Sequence, residues 1–262
     1  YPSVTLLEGL EQALASSTDA VAIATPAPTH FKFAKAALEA GKDVFVEKPM
    51  TLTSHDAKTL ARLAEQHGRI LMVGHLLLYQ PAIRWMRDYV QSGEAGKVRA
   101  EENVWWSFAP HDVSVVLELL GRPALENVKA QGQAGVQATI EDNVDVLLEF
   151  ATGQTAHIHS SWYWPHNERN TTILAEKKMI VYDEVKQTVT VFDKGINPDL
   201  SNREGDSFIA DVADAQPLRL ECEHFLSCLE TRNQPLSDGW NGVAVVEVLE
   251  KAQEAMKEKV YV

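Results

Sequence analysis

The apolar positions of this chain change period a little past its middle. Early on, short apolar runs alternate with stretches whose apolar residues recur at helical spacing; beyond Asn143 apolar and polar residues alternate one by one. Thr18–Thr25 (TDAVAIAT) predicts a strand, stopped by Pro26 and Pro28. Thr29 is positioned to cap the next helix, whose stripe is Phe31, Ala34 and Leu38, and Gly41 ends it. Asp43–Met50 (DVFVEKPM) holds a second apolar run, Val44–Val46. A continuous run between helical patterns predicts a strand buried on both faces, as in a parallel sheet. Thr53 and Asp56 form a capping box for a helix buried through Ala57, Leu60, Ala61 and Ala64 and closed by Gly68. Ile70–Val73 is a third strand, followed by Gly74 and His75. Strands and helices alternating over short connections predict a parallel, doubly wound α/β sheet.

Pro81 predicts the start of another helix, apolar through Ile83, Met86 and Val90. Glu101–Phe108 (EENVWWSF) reads as aromatic and irregular, and His111–Leu120 as a helix. Val144, Val146, Leu148 and Phe150 alternate, Thr152-Gly153 predicts a hairpin turn, and the return strand sets Ala156, Ile158, Ser160, Trp162 and Trp164 against His157, His159, Ser161 and Tyr163. Thr171–Glu176, Met179–Tyr182 and Thr188–Phe192 predict three more strands, and Lys194–Gln216 a long loop. Two helices follow, one buried through Leu218, Cys222, Phe225, Leu226 and Leu229, the other through Val246, Leu249 and Met256. The expected fold is a truncated Rossmann-type parallel sheet over residues 1–78, then an α+β domain over 79–262 with a mostly antiparallel, open-faced sheet. That open sheet, with one aliphatic and one polar-aromatic face, is expected to join subunits into a homodimer or homotetramer.

The net charge of −13 argues against nucleic acid or an anionic membrane as partner. No apolar run approaches the ~20 residues of a membrane helix. The opening YPSVTLLEGL has no basic stretch ahead of an apolar core, and Cys222 and Cys228 lie six apart in a helical pattern. Reduced thiols and a cytoplasmic location are expected.

The chemistry concentrates after the second strand. In open α/β sheets ligands sit beyond the carboxyl ends of strands, which is where Glu47, Lys48 and Pro49 fall. Pro49 forces Lys48 into extended backbone, so the lysine is held. A lysine serves as a base once burial or a nearby positive charge lowers its pKa. His111, at a predicted helix start, sits where the dipole favours neutral imidazole. His75 ends the third strand and, with Tyr79, is expected to touch substrate. His157 and His159 have no carboxylate or cysteine at ligand spacing, so no metal is expected. Paired Trp105 and Trp106 suit a packed domain junction or a stacked base.

The segments AIATPAPTH (Ala22–His30), AALEAGKDVFVEKPM (Ala36–Met50), LARLAEQHGRILMVGH (Leu60–His75) and PHD (Pro110–Asp112), with the closing helix pair, resemble the Gfo/Idh/MocA oxidoreductases over nearly the whole chain. Within that family the stretch from Glu101 to Gly121 resembles the bacterial nucleotide-sugar branch, the 3-dehydrogenases of UDP-N-acetylglucosaminuronic acid. The resemblance implies an NAD- or NADP-dependent dehydrogenase acting on a small sugar or nucleotide sugar. It implies that Thr25, Pro26, His30, Glu47, Lys48 and Pro49 line the cofactor, and that Lys48 and His111 flank the reacting carbon with His75 and Tyr79 near the substrate. Which of Lys48 and His111 is the base stays open. Three departures stand out: no G-x-G-x-x-G turn occurs, so an upstream βαβ unit is expected; the chain between Gly96 and Asn103 is short; and Ser107 stands where many members carry aspartate. An inositol or free-sugar dehydrogenase, a transient NAD-dependent glycoside-cleaving enzyme, a non-catalytic sugar or dinucleotide sensor, and an inactive remnant are the competing readings; retention of Lys48 and His111 speaks against a sensor.

Overall fold

The computed structural model describes residues 4–94, 98–101, 105–134, 141–161, 169–197, 199 and 201–257. The predicted residues Trp162, Tyr163 and Trp164 lie outside them. The chain forms two units, one of residues 1–75 with 221–247, the other of 76–220 with 248–262. The expected boundary near residue 78 therefore falls at His75, and a late segment returns to the first unit.

The first unit contains α1 (Leu10–Ala15), β1 (Ala20–Ile23), α2 (His30–Glu39), β2 (Asp43–Val46), α3 (Ser54–His67) and β3 (Leu71–Val73). The three strands are parallel in the order β1-β2-β3, with Ala22 opposite Phe45 and Phe45 opposite Met72. Val44, Val46 and Val73 are fully buried against Ala34 and Leu38 of α2 and Ala57 and Leu60 of α3. Burying each such valine or leucine contributes roughly 1.5–3 kcal/mol. Thr53 caps α3 by accepting the Asp56 N–H at 3.1 Å, and Gly68 ends it in the left-handed conformation at φ 60°. Thr29 does not cap α2; its hydroxyl donates to Pro26 O at 2.7 Å instead, because a turn of 3₁₀ helix over Ala27–Thr29 precedes α2.

The later part of this unit comes from the end of the chain: most of α6 (Pro217–Thr231) and the first half of α7 (Gly239–Lys257). The turn between them seals β3, with Val73 N–H donating to Ser237 O at 2.8 Å and Ser237 Oγ donating to Val73 O at 2.7 Å. α7 then lies so close to the sheet that a Cβ on Gly242 would meet Val73 Cγ2 at 2.8 Å and Met50 Sδ at 2.9 Å. The inward row of α6 is Glu221, Phe225 and Cys228, at i, i+4 and i+7. Leu218 and Leu226 are more than half exposed and Cys222 is exposed. The leucine-based face read from the sequence is thus rotated, because a carboxyl group holds a core position.

The second unit contains α4 (Pro81–Gln91), β4 (Val98–Glu101), α5 (Trp105–Leu119), β5 (Leu125–Gln133), β6 (Asn143–Phe150), β7 (Thr155–Ser161), β8 (Asn170–Ala175), β9 (Met179–Asp183), β10 (Thr188–Ile196) and β11 (Asn202–Ile209). Its eight strands run β11-β10-β9-β8-β4-β7-β6-β5, antiparallel except for β4 beside β7. One face is buried through Val144, Val146, Ile158, Ile173, Ile180 and Val191. On the other, Leu174 and Ile209 are 47% and 67% exposed, and Asp145 Oδ1 lies 2.9 Å from His159 Nδ1 and 3.5 Å from His157 Nε2. Asp145 is the carboxylate that spacing along one strand did not reveal, because it arrives from the neighbouring strand. Among the described residues no group of three metal-ligating side chains occurs.

Three strands escape the hydrophobic pattern. β4 and β5 are not predicted, and β11 lies within the predicted Lys194–Gln216 loop. β5 and β11 are edges of the sheet, where charged and polar side chains are tolerated. β11 is held by cross-strand pairs, Lys194 Nζ to Glu204 at 2.9 Å and Arg203 Nε to Asp193 at 3.2 Å. The stretch taken as irregular, Glu101–Phe108, includes the end of β4 and the first turn of α5. Among the described residues no helix is long and apolar enough to cross a membrane.

Candidate active site

The carboxyl ends of β1, β2 and β3 carry three turns, and most of the predicted site residues sit on them. The turn after β1 presents Thr25 and Pro26, both exposed. Thr25 Oγ1 and Thr29 Oγ1 lie 2.7 Å apart. Since the Thr29 proton is given to Pro26 O, Thr25 donates to Thr29, and toward a ligand the Thr25 oxygen is an acceptor.

The turn after β2 is tied to both neighbours, Glu47 N–H donating to Ile23 O at 2.9 Å and Gly74 N–H to Val46 O at 2.9 Å. Glu47 and Lys48 are half-buried, Pro49 and Met50 are buried, and the Lys48–Pro49 bond is cis. His30 is buried between the first two turns, one ring nitrogen 2.8 Å from Pro49 O and the other 2.7 Å from Thr25 O. Read from the sequence as lining a cofactor, His30 is here a brace that holds the Lys48 turn to the Thr25 turn.

Glu47 Oε2 accepts the Lys48 N–H at 3.3 Å. The carboxylate lies over Gly74, where a Cβ would meet Glu47 Oε2 at 3.2 Å and the Phe45 ring at 3.3 Å. Gly74 therefore leaves the space that Glu47 occupies. His75 follows, 1% exposed.

α6 closes the face of the sheet beneath Glu47. Phe225 meets Phe45 edge to face, centroids 5.7 Å apart. Glu221, one turn earlier, is 1% exposed, and burial, with the charge of Glu47 adding to it, pushes its carboxyl pKa up to about 8. Sequence reasoning missed Glu221; the signal was a row of spacing i, i+4, i+7 broken only by its being acidic. At the opposite end of β2, Asp43 is buried, accepts Ile70 N–H at 2.7 Å and is gripped by Arg232 at 2.6 and 2.9 Å.

The other two predicted site residues belong to the second unit. His111 is the seventh residue of α5 and half-buried, with Ser114 Oγ donating to its carbonyl at 2.6 Å. It does not begin the helix, so the end-of-helix dipole that was to favour its neutral form has largely faded there. Tyr79 is fully buried, with the Arg84 guanidinium 5.4 Å from its ring centre.

Comparison with known proteins matches residues 2–75 to the family model described as oxidoreductase family, NAD-binding Rossmann fold, and residues 84–181 to the GFO/IDH/MocA C-terminal domain. The chain is 26% identical over 261 residues to UDP-N-acetylglucosamine 3-dehydrogenase of Acidithiobacillus ferrooxidans, spanning 94% of this chain and 79% of that protein. It is 26% identical over 248 residues to scyllo-inositol 2-dehydrogenase (NAD(+)) of Bacillus subtilis, spanning 83% of this chain and 69% of that one. The solved structure of the Acidithiobacillus enzyme superposes with a TM-score of 0.83 at 25% identity, covering 98% of this chain and 84% of its own.

Proposed function

The chain belongs to the Gfo/Idh/MocA oxidoreductase family, and from that premise we propose that it oxidises a secondary alcohol, the C3 hydroxyl of a UDP-linked N-acetylated sugar. The cofactor is a nicotinamide dinucleotide, NAD or NADP, which when bound supplies the hydride acceptor. The residues at the strand ends fit that group: Thr25 presents an acceptor oxygen, Glu47 a carboxylate and the Lys48–Pro49 turn an ordered backbone. Thr25, Pro26, Glu47, Lys48 and Pro49 would hold its nicotinamide half.

The protein's own task is the proton. Loss of hydride from an alcohol carbon leaves a hydroxyl proton that a base must accept. Lys48 Nζ is the acceptor in this reading. His75, which follows the third strand, stands on the substrate side. The observation that carries the reading is a half-buried lysine, braced by His30, at the carboxyl end of the central strand of a parallel sheet. We further infer that the open face of the large sheet joins two copies, since it leaves Leu174 and Ile209 exposed.

The test uses the full-length protein that carries this chain. Lys48→Met should lower turnover on UDP-N-acetylglucosamine or its uronic acid by on the order of 10²–10⁴ while cofactor titration by fluorescence stays nearly unchanged. Near-normal turnover of Lys48→Met would make the lysine a structural strand end. The second reading, inositol oxidation, follows the Bacillus relative; turnover of scyllo-inositol with neither UDP sugar oxidised would replace the first reading with it.

A further inference from the structure

The carboxyl group of Glu221 has no role in the chemistry described so far, yet it occupies a place that a leucine would fill at less cost. Burying a carboxyl group without a compensating partner costs several times what burying a methylene gains. Glu221 is 1% exposed, and its Oε1 has no hydrogen-bond partner among the described residues. The structure says what it faces. Phe225 contacts Phe45, and Phe45 and Glu47 project from the same side of the same extended segment, since side chains alternate along it. Four residues of helix advance ~6 Å and two residues of strand ~6.6 Å. With Phe225 on Phe45, and Arg232 just past the end of α6 bonded to Asp43 at the start of β2, α6 runs opposite to β2 and the residue four earlier lies toward Glu47. The common neighbour Gly74, within 3.2 Å of Glu47 Oε2 and 3.3 Å of the Phe45 ring measured from a built Cβ, closes the same cluster from β3.

We propose that Glu221 is a positioning residue of the Glu47–Lys48–Pro49 turn: a buried carboxylic acid that acts through Glu47 and keeps Glu47 the one negative charge behind Lys48. The proposal rests on the reading of Lys48 as proton acceptor. Burial, and after it the charge of Glu47, favours the protonated form of Glu221. Glu47 Oε2 accepts the Lys48 N–H; Glu221 Oε1 has no hydrogen-bond partner among the described residues, and Glu221 keeps the proton. The titratable groups nearest Glu221 along α6 are Arg219, Cys222, Glu223 and His224, and the turns after β2 and β3 carry Glu47, Lys48 and His75. Of these, the charge that acts on Glu221 is that of Glu47, and its effect adds to that of burial. A second negative charge at this place would favour the ammonium form of Lys48, which has no lone pair with which to accept the substrate's proton. The neutral form of Glu221 thus matches the working form of the turn.

The experiment has one arm without turnover and one with it. In the first, the amide resonances of Lys48 and Gly74 are followed by NMR against pH. They should move with an inflexion near pH 8 in the wild-type protein and lose it in Glu221→Gln, while the protonated-carboxyl infrared band present at neutral pH disappears in the variant. Absence of that band, or an inflexion that survives in Glu221→Gln, overturns the proposal whatever the substrate. In the second, kcat/KM of the full-length enzyme is measured against pH. Glu221→Gln should keep kcat within about threefold at neutral pH and shift the alkaline part of the profile, and Glu221→Ala should lose on the order of tenfold or more in kcat with KM little changed, as for a base held off position. Equal losses in Gln and Ala, beside an unchanged profile, overturn the positioning role. Should Lys48→Met keep turnover, the catalytic reading fails alone, and the first arm still decides what Glu221 does to the turn.

Discussion

Replacing Asp43 by Asn tests how the start of the central strand is held. Asp43 is 3% exposed. Its Oδ1 accepts Ile70 N–H at 2.7 Å and an Arg232 N–H at 2.9 Å, and its Oδ2 accepts a second Arg232 N–H at 2.6 Å. The carboxylate thus joins β2 to the start of β3 and to the end of α6. Breaking a buried ion pair costs about 3–5 kcal/mol when the remaining charge stays buried. In Asp43→Asn the remaining charge is Arg232, whose side chain is 43% exposed, so water recovers part of the loss. The amide oxygen also keeps the Ile70 bond. The expected cost is about 2 kcal/mol. In Arg232→Met the remaining charge is the carboxylate, whose side chain is 4% exposed, and water does not reach it. That variant should cost at least as much, about 3 kcal/mol. Urea unfolding of the two variants and the double variant, with m held constant, reads these values and their coupling. A loss below about 0.5 kcal/mol for Asp43→Asn, or a much smaller loss for Arg232→Met than for Asp43→Asn, would refute the argument from burial.

The remaining expectations concern the site and the sheet. Glu221 carries a folded-state pKa of about 8 against an ordinary 4.5, so the folded chain binds more protons between those values; its stabilising contribution is complete below about pH 4.5, is lost as pH rises and is gone above about pH 8, with a ceiling near 5 kcal/mol. Denaturation midpoints of wild type and Glu221→Gln across that window should differ in slope, and parallel curves would contradict the assignment. Gly74→Ala crowds Glu47 Oε2 at 3.2 Å and should weaken cofactor binding severalfold with little effect on unfolding; isothermal titration beside thermal melting checks it, and unchanged affinity would show that Glu47 yields freely. Leu174→Glu, on the open sheet face, should convert the expected homo-oligomer of the full-length protein to a smaller species in light scattering, and an unaltered mass would move the interface elsewhere.

Local order was legible because local chemistry sets it. The three parallel strands, the Thr53 cap, the closing Gly68 and the hairpin at Thr152-Gly153 follow from period, caps and turn residues within a few positions of one another. Lys48 could be placed at a strand end for the same reason: a buried run followed by Glu-Lys-Pro leaves few positions for the lysine. The edge strands β5 and β11 were illegible because an edge is half solvated and is held by backbone pairing and cross-strand charges, neither of which leaves a hydrophobic period. His111 moved from a helix start to a helix interior because α5 begins earlier, among aromatic residues that read as irregular.

The rest belongs to tertiary structure alone. His30 bridges Thr25 and Pro49 because three turns converge at one edge of a sheet. Asp43 meets Arg232 across 189 positions of sequence, and Glu221 faces Glu47 because α6 returns to a sheet built some 170 residues earlier. Composition and period record what each residue prefers next to its neighbours in the chain. Whether a buried carboxyl group is a defect or a device depends on which groups the fold brings against it, and that is decided only when distant segments share one dry space.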